Sequence, residues 1–399
     1  MKKNDLLALF GGDKVCRKWR VKWPKFTKKD SALLTKLLKS GKISKADGIY
    51  NKRLETECAV RNGRKYAITV TSATAALELA IKALHIGAGD EVIVPGYTFY
   101  SSVSCIFSVG ATPVICDIDR ETLTISDNFI KCVTPRTRAV IVVDIGGYSP
   151  DISLIRSLIN GKDIKIIVDS AQSFGSIGPK NTDYGDIGVY SFQKSKNLTC
   201  GEGGAFVTND EQIYNYAYSL HNCGRALNSK WYDHKYNGTN NRMSELCACL
   251  TISQLSNFDK QAEKREKNAL EIVNGLKNSR VFKMLQQKAI NRRRIYHFLP
   301  VYVYPTFGTA DDVVKYIRCE GIPVIPSYEK TCDMQEAYIN SSGLIADDLS
   351  VSHSMCNHVI LITGEMLLAN KKDTSKIVEA FQKVENYLLQ KVEGYQFNG

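Results

Sequence analysis

The sequence predicts an α/β protein with a mostly parallel, doubly wound sheet in a large domain, followed by a smaller α+β lobe. Two aliphatic runs, at 139–143 and 165–169, have the unbroken hydrophobicity of strands that are buried on both faces. Helical patterns separate these runs from their neighbours, and strands that alternate with helices usually form a parallel sheet. The length of 399 residues exceeds what one hydrophobic core normally organises, which favours two lobes.

The predicted elements follow one another along the chain. A helix and turn over 29–47 lead into the body of the protein. Strands are then predicted at 67–70, 91–94, 112–117, 139–143, 165–169, 186–190 and 205–208, with helices at 73–84 and 99–109. A long helical pattern from residue 242 to about residue 274 connects the lobes. A strand at 295–299 and a helix that starts at residues 309–312, with Thr or Asp as the cap of its first turn, begin the smaller lobe.

These patterns divide the chain into a basic arm (1–35), a large domain (36–258) and a small C-terminal domain (259–399). Residues 1–30 hold ten Lys or Arg and three Asp, which is a net +7 of the total +12. Aromatic residues for base stacking are few in the arm, and no nucleic-acid motif follows it. We therefore expect a solvated segment, or one attracted to phosphorylated ligands, and no nucleic-acid partner.

Cysteine usage and hydropathy indicate a cytoplasmic protein. The twelve cysteines are scattered without the spacing of a zinc site or a secreted disulfide framework, so we expect reduced thiols and no metal. No apolar run approaches the length that a bilayer requires, so no membrane partner is expected. The short apolar run near the N-terminus ends too early for a signal peptide.

The most informative segment is the loop at 191–204, which joins two predicted strands and contains Lys194 and Lys196. Burial lowers the pKa of a lysine, and a neutral amine is a nucleophile that can form a Schiff base. The alternative is a surface turn in which both lysines point into water. The loop alone does not decide between the two interpretations.

Other candidate residues lie at predicted strand ends. Asp169 closes a strand, and a carboxylate buried there needs a cationic partner such as a protonated pyridine nitrogen. Phe99 lies where a loop meets a helix and could stack on a flat ring. The alternatives are a helix-capping role for Asp169 and ordinary core packing for Phe99. We expect His297, which alternates with apolar neighbours, to be a core residue with its hydrogen bonds satisfied.

Ser72, Ala73 and Thr74 open a predicted helix directly after a strand. Free amide groups and the helix dipole make such a start an anion site, although Ser or Thr at a helix start is often just a cap. The order of the candidates is informative. A phosphate-type helix start, a ring-stacking aromatic, a strand-end Asp and a Lys are the parts needed to hold pyridoxal phosphate.

Several motifs, taken in this order, make the chain resemble the DegT/StrS-type sugar aminotransferases, which are pyridoxal-phosphate enzymes of fold type I. The resemblance covers nearly the whole chain and implies a mostly parallel, seven-stranded-type sheet. The matching stretches are 89–95, 98–99, 110–114, 169–172, 191–196, 203–205 and 238–243.

The resemblance also implies roles around the cofactor ring. Lys196 would form the Schiff base with the cofactor and then carry a proton between cofactor and substrate carbons. Asp169 would pair with the pyridinium nitrogen, Gln172 would contact the ring hydroxyl, and Phe99 would stack on the ring. Lys194 would be a solvated neighbour.

For the phosphate, the resemblance implies a set of groups from two subunits. Ser72, Ala73, Thr74 and Ser191 would bind it from one chain. Asn240 would reach the phosphate of a neighbouring subunit, which implies a homodimer with shared active sites. Ala73 stands where most relatives carry Gly, a change that still permits backbone contacts to phosphate.

A finer resemblance concerns the substrate. Residues 7–12 with Trp23 and Pro24, together with Gln193 and residues 199–204, are similar to the branch that acts in aminocyclitol and aminohydroxybenzoate biosynthesis. Enzymes of that branch move nitrogen from glutamine to a cyclic ketone such as scyllo-inosose. Asp144 occupies the usual His position of a strand-end motif. We expect this position to lie near the substrate, which leaves substrate identity open.

The function implied is an aminotransferase that moves an amino group from Gln or Glu to a nucleotide-linked keto sugar or a keto-cyclitol. Such a product would serve amino-sugar, aminocyclitol, antibiotic or polysaccharide biosynthesis. The alternative is a pyridoxal-phosphate synthase or dehydratase that acts on a related cyclic substrate, such as an aminohydroxybenzoate precursor. Sugar dehydratases of the family carry His in place of the lysine, so Lys196 disfavours a dehydratase.

Overall fold

The structure, a computed structural model, describes residues 6–179, 182–288 and 292–396. Residues 1–5 of the predicted basic arm lie outside these ranges. Within them, no helix is both long enough and apolar enough to cross a bilayer.

Twelve strands in the described part of the chain form two separate sheets. In chain order they are β1 (Tyr66–Val70), β2 (Glu91–Pro95), β3 (Thr112–Cys116), β4 (Thr137–Val143), β5 (Lys165–Asp169), β6 (Ile187–Ser191), β7 (Gly204–Thr208), β8 (Phe282–Met284), β9 (Phe298–Val303), β10 (Ile325–Pro326), β11 (Leu344–Ile345) and β12 (Val359–Thr363).

Eleven α-helices surround these sheets in the described ranges. They are α1 (Lys28–Ser40), α2 (Tyr50–Arg61), α3 (Ala73–Ala83), α4 (Ser101–Ser108), α5 (Ile152–Leu158), α6 (Glu211–His221), α7 (Glu245–Leu276), α8 (Ala310–Cys319), α9 (Glu336–Ile339), α10 (Ser350–His358) and α11 (Lys371–Gln396). Helix α8 starts within the predicted range, and of the two predicted kinds of cap, Thr or Asp, the structure has Thr309. The proposed domain boundary at residue 258 lies inside α7, which runs on for eighteen further residues.

The large sheet has the order β1-β7-β6-β5-β4-β2-β3-β11. Strand β7 is antiparallel to both β1 and β6, and the other pairs are parallel, so the prediction of a mostly parallel α/β sheet is confirmed. The implied strand number needs one correction. Two residues from the C-terminal part of the chain, Leu344 and Ile345, pair with β3 and add an eighth strand at that edge.

The small sheet is antiparallel with the order β10-β12-β9-β8. Its core includes apolar side chains of α8 and α11, such as Ile317 and Phe381. Strand β9 begins three residues later than predicted. The amide of His297 donates to Gly146 O (3.1 Å) and Ile295 O (2.8 Å), so this part of the chain folds against the large domain before the ladder starts.

The N-terminal arm is docked on the small lobe. The side chain of Leu7 is buried in the core of that lobe. The buried carboxylate of Glu320 accepts hydrogen bonds from the amides of Ala8 (2.7 Å) and Val15 (3.2 Å) and pairs with Lys383 Nζ (3.0 Å). The basic residues between 14 and 25 are exposed, as expected of a solvated charged segment.

Candidate active site

A cavity of about 680 Å³ lies at the carboxyl ends of the parallel strands β4, β5 and β6. This edge is where parallel α/β sheets usually bind ligands. Eight of the nine cofactor residues implied by the resemblance line it: Ser72, Ala73, Thr74, Phe99, Asp169, Gln172, Ser191 and Lys196. The facing wall comes mainly from the small lobe and includes Ile325, Pro326, Tyr328, Leu361, Thr363 and Glu365.

Lys196 projects from the loop between β6 and β7. The Gln193 side chain holds this loop by accepting hydrogen bonds from the amide and hydroxyl of Ser195 (2.7 and 2.8 Å). Burial lowers the pKa of Lys196, and the negative charge of Asp169 opposes that shift only in part. Lys194 is exposed. The structure therefore separates the two lysines and gives Lys196 the environment of a reactive amine.

Asp169 is the last residue of β5 and is only 6% exposed. Its carboxylate accepts hydrogen bonds from the hydroxyl of Ser102 (2.8 Å) and the amide of Ala171 (3.1 Å). Burial raises the pKa of Asp169, while the Ser102 bond, the Ala171 bond and the charge of Lys196 lower it in turn. A carboxylate in this setting gains most from a further cation inside the cavity.

A helix start forms another part of the cavity lining. Ser72 caps α3 by accepting a hydrogen bond from the amide of Ala75 (3.1 Å). The first-turn amides of a helix, here those of Ala73 and Thr74, have no acceptor within the helix. Gly204 of β7 lies against this turn so closely that a Cβ would come within 2.5 Å of the Ser72 carbonyl carbon. The local structure therefore leaves free amides and the positive end of the dipole facing the cavity.

Phe99 and Gln172 line the same cavity. Phe99 is 64% exposed, so it does not pack in the core and its ring is available to a ligand. Gln172 accepts a hydrogen bond from the amide of Gly146 (2.6 Å) and donates to the Tyr328 hydroxyl (3.4 Å). The amide of Gln172 is thus fixed between the two lobes.

Asn240 is the ninth implied residue, and it does not line the cavity of its own chain. Its side chain is exposed, and its carboxamide oxygen accepts a long hydrogen bond from the amide of Arg242 (3.4 Å). The next residue, Asn241, accepts a hydrogen bond from the amide of Thr71 (3.1 Å), just before the α3 cap. Asn240 therefore lies on the surface near the helix start, on the outside of this chain's site.

The donor set fits pyridoxal phosphate. A buried carboxylate that forms no salt bridge within the described residues suits a protonated ring nitrogen, and the start of α3 suits a phosphate. Lys196 supplies an amine of lowered pKa, and Phe99 supplies an exposed aromatic face. Among the described residues, no cluster of three His, Cys, Asp or Glu side chains is arranged to hold a metal ion.

Sequence reasoning missed three residues of this site. Ser102, which contacts Asp169, and Tyr328, which contacts Gln172, are ordinary helix and loop residues in the sequence. The prediction for His297 was wrong. Its ring lines the cavity, and its buried Nδ1 atom has no hydrogen-bond partner in the described part of the chain. Burial lowers the pKa of His297 well below its usual value, and the charges of Lys196 and Arg265 lower it further.

Asp144 also departs from expectation, because its side chain is fully buried and does not line the cavity. It pairs with the buried Arg292 (3.1 Å) and accepts hydrogen bonds from the hydroxyls of Ser170 (2.8 Å) and Ser173 (2.5 Å). Its amide donates to the carbonyl of Asp169 (3.0 Å). Asp144 therefore fixes the turn that follows Asp169 and does not face the substrate.

A protein-family model and several curated proteins match this chain. The model of the DegT/DnrJ/EryC1/StrS aminotransferase family matches residues 24–382. A GDP-perosamine synthase of Escherichia coli O157:H7 is 37% identical over 240 residues, which cover 59% of this chain and 65% of that protein. The chain spans just under two thirds of the length of the first curated relatives it matches.

Two further similarities extend over most of the chain. A Streptomyces kanamyceticus protein, provisionally named L-glutamine:3-amino-2,3-dideoxy-scyllo-inosose aminotransferase, is 30% identical over 96% of this chain and 97% of its own. Among solved structures, an aminotransferase from Psychrobacter cryohalolentis superposes with a TM-score of 0.84 at 28% identity. That match covers 90% of this chain and 97% of the other.

Proposed function

The chain belongs to the DegT/DnrJ/EryC1/StrS aminotransferase family of pyridoxal-phosphate-dependent enzymes, and we propose that it moves an amino group from Gln or Glu to a cyclic ketone. The acceptor class is a nucleotide-linked keto sugar or a keto-cyclitol. The proposal rests on one observation. Lys196, Asp169 and the start of α3 line the same cavity at the carboxyl ends of the parallel strands.

Pyridoxal phosphate supplies an aldehyde that takes up the donor nitrogen and an electron-withdrawing ring that acidifies the neighbouring C–H bond. The residues of the chain position this chemistry. Ser72, Ala73, Thr74 and Ser191 would hold the phosphate, and Phe99 would cover the ring face. Asp169 would hold a proton at the ring nitrogen, because its buried carboxylate would stabilise that positive charge.

Lys196 performs the proton transfer. Because burial lowers the pKa of Lys196, its amine loses a proton more readily than an exposed lysine does. With pyridoxal phosphate bound, the free amine would take the proton from the donor carbon and carry it to the adjacent carbon of the cofactor. Gln172 would orient the ring edge, and His297, which lines the same cavity and has a pKa well below its usual value, would not compete for the proton.

The proposal also includes a homodimer and a cytoplasmic location. Asn240 lies outside its own cavity but near the start of α3, where it can complete the phosphate site of a neighbouring copy. Exposed aromatic rings at Trp231 (78%) and Tyr232 (77%) lie nearby in sequence and favour a covered surface. All twelve cysteines are free thiols, in keeping with a reducing compartment.

The test is a screen of donor and acceptor pairs. Purified enzyme with pyridoxal phosphate is given Gln or Glu together with scyllo-inosose or GDP-4-keto-6-deoxy-D-mannose, and products are identified by mass spectrometry. We expect the cyclic ketone to gain an amino group at the expense of the donor. Enzyme that consumes neither donor, or that fails to bind pyridoxal phosphate, would contradict the proposal.

The shared site has its own test. A Lys196→Ala subunit and an Asn240→Ala subunit should each be impaired as homodimers. Mixed after reversible dissociation, they should regain activity, because one of the two hybrid sites then carries both residues. Mixtures that stay as inactive as the separate variants would contradict the role of Asn240.

A further inference from the structure

The basic arm contributes a residue to the cavity that the cofactor does not account for. Trp23 lines the cavity together with Gln193, Ser195 and Glu365. This position places it beside the loop that carries Lys196, since the indole N–H donates to the carbonyl oxygen of Lys194 (3.1 Å). An arm residue therefore forms part of the wall two positions from the reactive lysine.

The buried side chain of Arg265 packs against the ring of Trp23. The guanidinium of Arg265 lies over the Trp23 ring at 5.0 Å from its centroid, and its Nε donates to the carbonyl of Gly364 (3.0 Å). Arg265 is 1% exposed, and its two terminal nitrogens have no hydrogen-bond partner among the described residues. A buried cation without an acid depends on the π face for compensation, so the contact holds both groups in place.

These contacts leave an apolar surface for the cavity. One face of the indole meets Arg265 and its N–H is used by Lys194, so the part that remains for a ligand is the other face and its carbon edge. A saturated six-membered polyol has C–H groups on its faces and hydroxyls around its edge. The C–H groups can pack against the flat face of the indole. The hydroxyls can form hydrogen bonds with Gln193, Ser195 and Glu365.

We propose that Trp23 is the ring-stacking wall of the acceptor subsite, with Arg265 as the positioning residue that holds the indole in place. This inference rests on the proposed function, because it names the part of the site that recognises a cyclic acceptor. An acyclic keto acid such as 2-oxoglutarate, the product expected when Glu is the donor, has no ring face to stack and should depend on Trp23 much less.

The experiment compares cyclic and acyclic acceptors in the holoenzyme. For Trp23→Ala we expect the KM for the cyclic ketone, scyllo-inosose or GDP-4-keto-6-deoxy-D-mannose, to rise about tenfold, since loss of a stacking contact is worth about one factor of ten. The KM for 2-oxoglutarate and the single-turnover rate with the amino donor should change little. Trp23→Phe should recover most of the loss.

The arm offers a matched control in Phe26, which is 48% exposed and does not line the cavity. Phe26→Ala should leave all three acceptors unaffected. Arg265→Gln should raise the KM for the cyclic acceptor only. The tryptophan fluorescence should shift to longer wavelength, because the Trp23 indole is held less firmly.

Two results separate the hypotheses. If Trp23→Ala left the cyclic KM unchanged, or affected 2-oxoglutarate equally, the ring wall would be overturned while the aminotransferase stood. A wild-type enzyme that reacted with the donor but with neither cyclic ketone would overturn the acceptor class, and the ring subsite with it.

Discussion

The two ends of the cavity are built in different ways. At what we propose as the cofactor end, Asp169, Ser191 and Ser72 lie at strand ends or a helix start of one sheet, and neighbouring strands fix their spacing. At what we propose as the substrate end, Trp23 and Glu365 come from the arm and the small lobe, which are far apart in the chain. The difference suggests that the chemistry is set by the sheet, whereas selectivity is set by how separate segments meet.

The largest expected effect tests the cofactor end directly. Lys196→Ala should reduce turnover by roughly three orders of magnitude or more, because it removes both the covalent attachment and the proton carrier. The visible absorption of the bound cofactor should shift at the same time. Lys194→Ala, the exposed neighbour, is the matched control and should retain the wild-type spectrum.

A second substitution at this end should act without detaching the cofactor. Asp169→Asn keeps the shape but removes the negative charge that supports a protonated ring, so we expect kcat to fall by about a hundredfold. Steady-state kinetics and cofactor titration measure the two effects separately. Wild-type turnover in this variant would remove Asp169 from its role.

The buried pair of Asp144 and Arg292, which lies next to the cofactor end, is expected to stabilise the folded protein. Asp144→Asn leaves Arg292 as an uncompensated buried charge, so the free energy of unfolding should fall by about 3 kcal/mol in urea denaturation. The control is Asp163→Asn, because Asp163 is 87% exposed where it pairs with Lys165. That variant should lose less than about 1 kcal/mol. Equal losses would contradict the contrast between the two pairs.

A substitution at Glu320, whose carboxylate holds the N-terminal arm on the small lobe, tests the substrate end. Glu320→Gln weakens the carboxylate that holds the amides of Ala8 and Val15 and the ammonium of Lys383. We expect a several-fold rise in the KM for the cyclic acceptor, with cofactor absorption unchanged, because the arm carries Trp23. Glu329→Gln, on an exposed residue, is the control. A changed cofactor spectrum would show that the two ends are not independent.

The smallest effect concerns the hydroxyl of Ser102. Its hydrogen bond stabilises the ionised form of Asp169, so Ser102→Ala should raise the pKa of that carboxyl further. The acid limb of the kcat/KM profile should move to higher pH by less than about one unit, in proportion to one hydrogen bond. Ser108→Ala, on the same helix, should leave the profile in place.

The sequence predicts the cofactor end better than the substrate end, for physical reasons. Aliphatic runs locate β4 and β5, and the residue that ends such a strand necessarily reaches the sheet edge, so Asp169 can be placed from local pattern. The same reasoning fails for Asp144. That residue also follows a strand, but Arg292, about 150 positions away, draws its carboxylate inward.

The substrate end depends on contacts between residues that are far apart in the chain, and the hydrophobic periodicity of the sequence does not predict such contacts. Trp23 meets Lys194 across 171 positions, and Arg265 reaches the Trp23 ring from α7. The resemblance includes Trp23 but assigns it no contact. His297 was misjudged because alternation with apolar neighbours indicates a strand, while its amide is bound by the Gly146 carbonyl of the other lobe.

The docking of the arm has a consequence for synthesis. Residues 7–23 are translated before the side chains that hold them, since Glu320 and Lys383 follow three hundred or more positions later. The strands that carry Asp169 and Lys196 are made in between and can pair before those partners exist. The nascent protein should therefore acquire a place for the cofactor well before it acquires the wall that selects the acceptor.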